Sequence, residues 1–489
     1  MSEQSERLYD AITQVDDALV EAARVKKRPA WRGITALAAA VALVVGLFAW
    51  QPWHLGGTAR EVTKQERFAL ACPAYPVMAA YPNEEQIGDD DDALMDAFRA
   101  WKADIDRQSD QPAGYADGLE PYLRESARTF LSDVEDENCA YSPLNVYMAL
   151  AMLAETAEGS SRDQVLTLLG AANIDALRSQ AGAVWNANYR DDGMTKSVLA
   201  SALWLRDDTE YTPATVETLA QRYYASVFRG EMGSNAYDEA LQDWLNEQTG
   251  DMLTEQAAQE HFDARTMLGI TTTIYFRTKW IMPFDESATK PDVFHAAAGD
   301  ETVDFMHRSE TMYYCWGENF GAVGLPLESG GEMWLLLPDE GVTPQMLLDG
   351  SEAMDFMMTG NRYAWANGKD VVVNLAMPKF DTTCRYSLLE GLKAMGVTDI
   401  CDPEKADFSP LLPGTEGAAL NTANHAVRVA IDEEGVAAAA YTALARAGAG
   451  MPPDDEIDFT LDRPFVYVIT GDQGLPLFIG ILNNVSDMH

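Results

Sequence analysis

Basic residues are scarce in this chain. There are 35 Lys and Arg against 77 Asp and Glu, giving a formal charge of −42. A nucleic-acid partner needs a basic face to neutralise phosphates, so that class is excluded. The acidity instead suits the solubility of an exposed domain. Cysteine is also sparse. Cys72, Cys139, Cys315, Cys384 and Cys401 form no C-x-x-C pair, and no histidine stands at ligand spacing from any of them. No metal and no cofactor is therefore expected. The odd count excludes a fully paired disulfide framework, and the cysteines read mostly as buried thiols. A G-x-S-x-G elbow is missing, and the six histidines occupy no recognisable nucleophile context. An enzyme is not expected.

What the chain does have is length and apolar content. Its 489 residues allow two to four domains, and 47% hydrophobic content suits a sizeable core. Gly33 to Trp50 reads GITALAAAVALVVGLFAW without a charge. At about 1.5 Å per residue this run is long enough to cross a bilayer. Arg24, Lys26, Lys27, Arg28 and Arg32 precede it, and the next strong charge is Arg60. The positive-inside rule puts residues 1–32 in the cytoplasm, a transmembrane helix at 33–53, and the rest outside the plasma membrane. The competing reading is a cleaved signal peptide and a secreted protein, but an A-x-A site is missing. A lipoprotein reading at Cys72 is weaker still, since Arg60, Lys64 and Arg67 separate it from the apolar run.

Residues 7–25 carry Leu8, Ile12, Val15, Leu19 and Ala22 on one helical face. Residues 54–120 read as an extracytoplasmic linker broken by prolines, with one helix at Asp91–Ile105. From residue 121 the character changes. Helical patterns at Tyr122–Leu131, Pro143–Ala154 and Ser161–Leu169 are followed mainly by strands. Those are Lys196–Leu205, Ile270–Phe276, Glu332–Leu337, Val371–Ala376, Ala426–Ile431, Phe465–Ile469 and Leu477–Ile481. No βαβ alternation is present, so the fold class is α+β.

The most telling stretch is Ile431–Ala443, IDEEGVAAAAYTA. An acidic turn and a glycine lead into small residues without proline. Such a run suits a segment that is sometimes loop and sometimes strand. Small side chains slide between existing strands, and every N–H stays available for a new ladder.

This stretch resembles the hinge of the serpins. Similar strings recur in order across about Tyr122–Asn484: YSPLNVYMALAMLAETAEGSSRDQVLTLL (Tyr141–Leu169), SALWLRDDTEYTPATVETLAQRYYASV (Ser201–Val227), TTTIYFRTKWIMPFD (Thr271–Asp285), VNLAMPKFD (Val373–Asp381), KAMGVTDI (Lys393–Ile400), LDRPFVYVI (Leu461–Ile469) and LFIGILNNV (Leu477–Val485). The resemblance implies a serpin domain over 121–489, with three sheets, eight to nine helices and an exposed reactive-centre loop. It further implies inhibition by a suicide mechanism. A serine protease, or a cysteine protease, cuts the loop, and the loop inserts into the main sheet and traps the acyl-enzyme. The implied partner is the target protease, and the protein is expected to be a monomer.

Residue by residue, Glu433, Glu434 and Gly435 match the hinge turn, and Val436, Ala437, Ala438, Ala439 and Ala440 match its small-residue run. The family's cut position selects the Ala449–Gly450 bond. Ser142 and His425 match the polar cluster between the central strands, with Asn145 and Thr272 in exchanged roles. Trp280 matches the tryptophan where insertion begins, and Lys379 is placed to pair with Glu433. Ala449 suits an elastase-like or subtilisin-like pocket, whereas trypsin-like enzymes would cut after Arg446. The alternative reading is a noninhibitory binding or structural protein of the same fold at the cell surface.

Overall fold

The computed structural model describes residues 65–82, 87, 91–132, 136–436, 453 and 455–485. The expected membrane span at 33–53, the hinge residues Ala437–Ala440 and the Ala449–Gly450 bond lie outside them. Among the described residues no helix is long and apolar enough to cross a membrane.

Among the described residues seventeen strands form two sheets. The main sheet runs β1 (Ala69–Ala71), β5 (Ala225–Gly230), β4 (Lys196–Arg206), β6 (Leu268–Lys279), β14 (Gly435–Val436), β13 (Leu420–Ile431) and β12 (Phe380–Ser387), with β3 (Arg190–Asp191) paired to β4. The second runs β15 (Glu456–Thr460), β11 (Gly368–Pro378), β8 (Gly299–Trp316), β9 (Phe320–Pro326), β10 (Glu332–Pro338), β16 (Phe465–Thr470), β17 (Pro476–Leu482) and β2 (Cys139–Tyr141), with β7 (Lys290–Ala296) on β8. The expectation of three sheets is corrected to two. Strand β8 is 18 residues long and pairs with β7 and β11 along its length, then with β9 through Tyr314–Trp316. One strand thus fuses two groups. Its polar sequence, GDETVDFMHRSETMYYCW, gave no apolar run to find. The helix expectation is also low. Eleven α-helices are described, among them Asp91–Ser109 before the domain and the short Thr254–Ala257 and Pro344–Asp349.

The core lies between the sheets and around the helix Pro143–Thr156, which is apolar on every side and buried along almost its whole length. Proline at its first turn fixes φ where no intrahelical N–H bond is needed. Side-chain caps start the helices Ile174–Asn188 (Asn173) and Asn235–Thr249 (Ser234). Strand β6 is buried on both faces, and its Thr and Ile residues suit a central position. Of the five free cysteines, Cys139, Cys315 and Cys384 are buried and Cys72 is exposed.

The stretch read as a linker has structure of its own. The chain divides into compact units between Glu61 and Val62, so residues from 62 onward belong with the main body. Ala69–Ala71 pairs antiparallel with β5 and forms the edge of the main sheet. The Tyr75 ring stacks 5.5 Å from Trp185 and lies beside Tyr189 and Tyr224. Tyr81 packs edge-on against Phe98 and Trp101, and the Trp101 indole donates to Asp192 at 2.9 Å. Replacing Tyr75 with Ala removes a partly buried ring and its stacking partners. Urea unfolding should show a loss of about 2 kcal/mol. No loss would mean that the strap rests on the domain without stabilising it.

Candidate functional site

Strands β6 and β13 are neighbours at one end of the main sheet and separated at the other. From Leu268–Leu420 to Thr273–Ala426 they pair directly and in parallel. At the far end β14 stands between them, with Gly435 opposite Lys279, Val436 opposite Thr278, and Ile431 opposite Val436. The central sheet is therefore forked, and the first two residues after the acidic turn already occupy the fork. Val436 is buried there.

Gly435 permits this approach. A Cβ at that position would sit 2.2 Å from the Thr278 carbonyl oxygen and 2.7 Å from the Lys279 Cα. Only a residue without a side chain can run so close to the neighbouring backbone.

The turn that feeds the fork is held from all sides. Asp432 Oδ1 accepts the amides of Glu434 (2.8 Å) and Gly435 (3.0 Å). Trp280 is buried; its indole donates to the Asp432 carbonyl at 2.9 Å and its amide to the Glu434 carbonyl at 3.0 Å. The Phe284 amide donates to the Glu433 carbonyl at 2.9 Å. Glu433 is 8% exposed; its two oxygens take Lys379 Nζ at 2.8 Å and the Thr289 hydroxyl at 2.8 Å. Lys279 Nζ lies 3.5 Å from Glu434. Burial opposes the Glu433 charge, but the bonds from Lys379 and Thr289 outweigh it and hold the carboxyl below its ordinary value. Burial pushes the Asp432 carboxyl up.

Sequence reasoning missed Asp432, Thr289 and Lys279. Asp432 carried a signal, because an aspartate two residues before a bonded amide is an Asx-turn. Thr289 and Lys279 carried none, since they reach the turn only through the tertiary fold.

A second polar cluster lies beneath the paired half of the seam. His425 is fully buried and faces Thr272 across the β6–β13 ladder. Its Nε2 accepts the Ser142 amide at 3.2 Å, and the Tyr141 ring packs edge-on against it. The Thr272 hydroxyl donates to the Ala200 carbonyl at 3.1 Å and lies 3.3 Å from the Ser201 hydroxyl. It reaches the Asn145 main chain at 3.5 Å, not its amide group. Among the described residues the Ser142 hydroxyl and the Asn145 amide group find no partner. Buried polar atoms left unpaired cost about 1–3 kcal/mol each. Ser142, Asn145, Thr272 and His425 thus meet under the seam, whereas Trp280, Lys379 and Glu433 meet at its open end.

Burial drives the His425 imidazole down from 6.5 to about 3. It stays neutral in the fold, while the unfolded chain takes a proton below about 6.5. Its contribution is complete above that pH and lost as pH falls toward 3, by about 1.4 kcal/mol per unit. Between pH 6.5 and 5, above the range of the depressed Glu433 carboxyl, His425→Asn should flatten the loss by that slope. Urea unfolding across this window is the measurement; an unchanged slope would contradict a neutral buried ring.

Comparison with known proteins bears on this geometry. The family model Serpin (serine protease inhibitor) matches residues 125–485. Serpin-ZX of Arabidopsis thaliana is 27% identical over 361 residues, covering 71% of this chain and 92% of that protein. Among solved structures, the thermophilic serpin tengpin in its native state superposes with a TM-score of 0.68 at 22% identity, covering 76% of this chain and 95% of its own. Human thyroxine-binding globulin gives 0.65 at 19% identity, covering 78% and 100%. These last two likenesses concern the fold. The matching family model describes serine protease inhibitors, a class that is not enzymatic. With three-quarters of its length matched in sequence and a central sheet forked around Gly435 and Val436, this chain belongs to the serpin family.

Proposed function

We propose that this serpin inhibits serine proteases as a suicide substrate, inserting its loop into the main sheet once the loop is cut. The observation that carries the reading is the position of Gly435 and Val436 as a short strand between β6 and β13. Continuing that strand toward the paired half of the seam adds ladder bonds on both sides of every inserted residue. Direct pairing of β6 with β13 over residues 268–273 is then replaced by two pairings, one to each neighbour.

Ala449–Gly450 is the bond we assign to cleavage, and the small Ala449 suits an elastase-like or subtilisin-like enzyme. Cysteine proteases form a second target class. A cut after Arg446 would shorten the inserted strand and favour turnover of the inhibitor. We further read the protein as a monomer held at the plasma membrane through residues 33–53, with the serpin domain outside. Protease added to intact cells should then remove the region after Trp53 and spare residues 1–32. Release of a form starting near residue 50 would show a cleaved signal instead.

Incubation with an elastase-like protease should give an SDS-stable complex. Ala438→Pro should abolish it and leave the loop cleavable, because proline in a central inserting strand removes a ladder bond and clashes with its neighbour. Clipping of the wild type without a complex would overturn the reading in favour of a noninhibitory binding or structural protein.

A further inference from the structure

Insertion requires β13 and β12 to move away from β6 by about one strand spacing, about 4.8 Å. Any bond that crosses that seam resists the movement. Two such sets of bonds lie on the outer face of the sheet, between β12 and β13 and the segment that joins the helix Asn235–Thr249 to β6.

This segment belongs to the β6 side. It runs directly into Leu268, and the space beside Gly250, its first residue, is filled by the Tyr275 ring on β6. Its Glu260 is 4% exposed, and the Glu260 carbonyl accepts Gln242 of the helix at 3.0 Å. Yet the Glu260 side chain bonds only to the other side of the seam. One oxygen takes Asn424 Nδ2 of β13 at 2.8 Å, and the other takes Arg385 Nε of β12 at 2.5 Å. Arg428 of β13 reaches in the opposite direction. Its Nη1 donates to the Met252 carbonyl at 2.7 Å, while its Nε is held by Asp381 of β12 at 2.8 Å. Asn424 and Arg428 are four residues apart on β13 and share its outer face, opposite to His425.

We infer that Glu260 and Arg428 form a latch across the seam that sets how readily the main sheet opens to admit the loop. They are positioning residues: neither meets the protease. The inference rests on the proposed loop insertion. With the segment in place, interposing a strand pulls Asn424, Arg385 and Arg428 out of bonding distance. Glu260 would then be left as a buried carboxylate without a cation, a state strongly disfavoured in a protein interior. The segment must therefore release before or as the strand enters, and its release limits the rate.

A synthetic peptide copying residues 436–448, VAAAAYTALARAG, tests this without knowledge of the target protease. It would be added to the full chain, and its incorporation followed by native gel shift. The wild type should take it up slowly. Glu260→Gln keeps the shape but turns an amide donor toward Asn424 or Arg385. Arg428→Lys keeps a charge for Asp381 but cannot also reach Met252. Each should take up the peptide at least about tenfold faster, the factor expected from losing one charge-assisted hydrogen bond. Glu155→Gln is the control. That carboxylate is bonded to Arg178 and Tyr223, and no residue of β13 or β12 bonds to it among the described residues. It should lower the unfolding midpoint without changing uptake. Wild-type uptake rates in both latch variants would overturn the latch and leave the inhibitor reading standing. Failure of the wild type to take up the peptide at all would overturn loop insertion, and the latch with it.

Discussion

The parallel pairing of β6 with β13 is the contact on which this molecule depends. Every other neighbour of these two strands in the main sheet is antiparallel: β4 beside β6, β12 beside β13, and the short β14 against both. A parallel ladder is slightly the weaker kind per residue. Here it is also short, running from Leu268 to Thr273 and then giving way to the fork. The sheet thus carries one built-in line of parting, flanked by two well-paired halves. Opening it exposes few ladder bonds, and filling it with a strand creates many.

Two polar clusters lie along that line. At the open end, Lys379 pairs with Glu433, Lys279 lies near Glu434, and Asp432 accepts the amides of Glu434 and Gly435 while the Trp280 indole donates to its carbonyl. At the closed end the groups are poorly matched. Ser142 and Asn145 are buried without side-chain partners among the described residues, and His425 is kept neutral by burial. A well-bonded turn thus stands above a poorly paired floor, the arrangement that the proposed loop insertion would use.

The two outer boundaries of the main sheet are handled differently. On the β5 side, Phe68–Ala71 caps the edge and the Tyr75 ring fills a site beside Trp185 and Tyr224, so the residues before the family's own domain complete the sheet. On the β12 side, Asp381 and Arg385 turn their charges toward the segment that crosses the sheet's face. The β12 side therefore carries side-chain bonds across its face in addition to its ladder, and the β5 side carries backbone pairing and aromatic packing at its edge. Side-chain bonds can exchange without unfolding a strand, and a ladder cannot.

Local chemistry alone determined a good part of this. The apolar helix Pro143–Thr156, the strands with uninterrupted apolar runs, and the glycine that lets the hinge approach the Thr278 backbone follow from residue type and spacing. The proline-free run of small residues after the acidic turn reads as a hinge, and of that run only Val436 lies within the described residues. The polar strand β8 was not legible, since no periodic apolar face marks it and its role in merging two groups of strands is set by its neighbours. The strap over residues 65–82 was not legible either: its prolines read as linker, and only the aromatic site formed by Trp185, Tyr189 and Tyr224 gives Tyr75 a place to bind. The partners that Glu260 and Arg428 reach across the seam lie more than a hundred residues away in the chain, brought close by a strand order and register that no local pattern encodes. The sequence by itself determined which segments could become strands and which could hinge. The tertiary structure decided which bonds cross the line of parting, because that depends on which strands become neighbours.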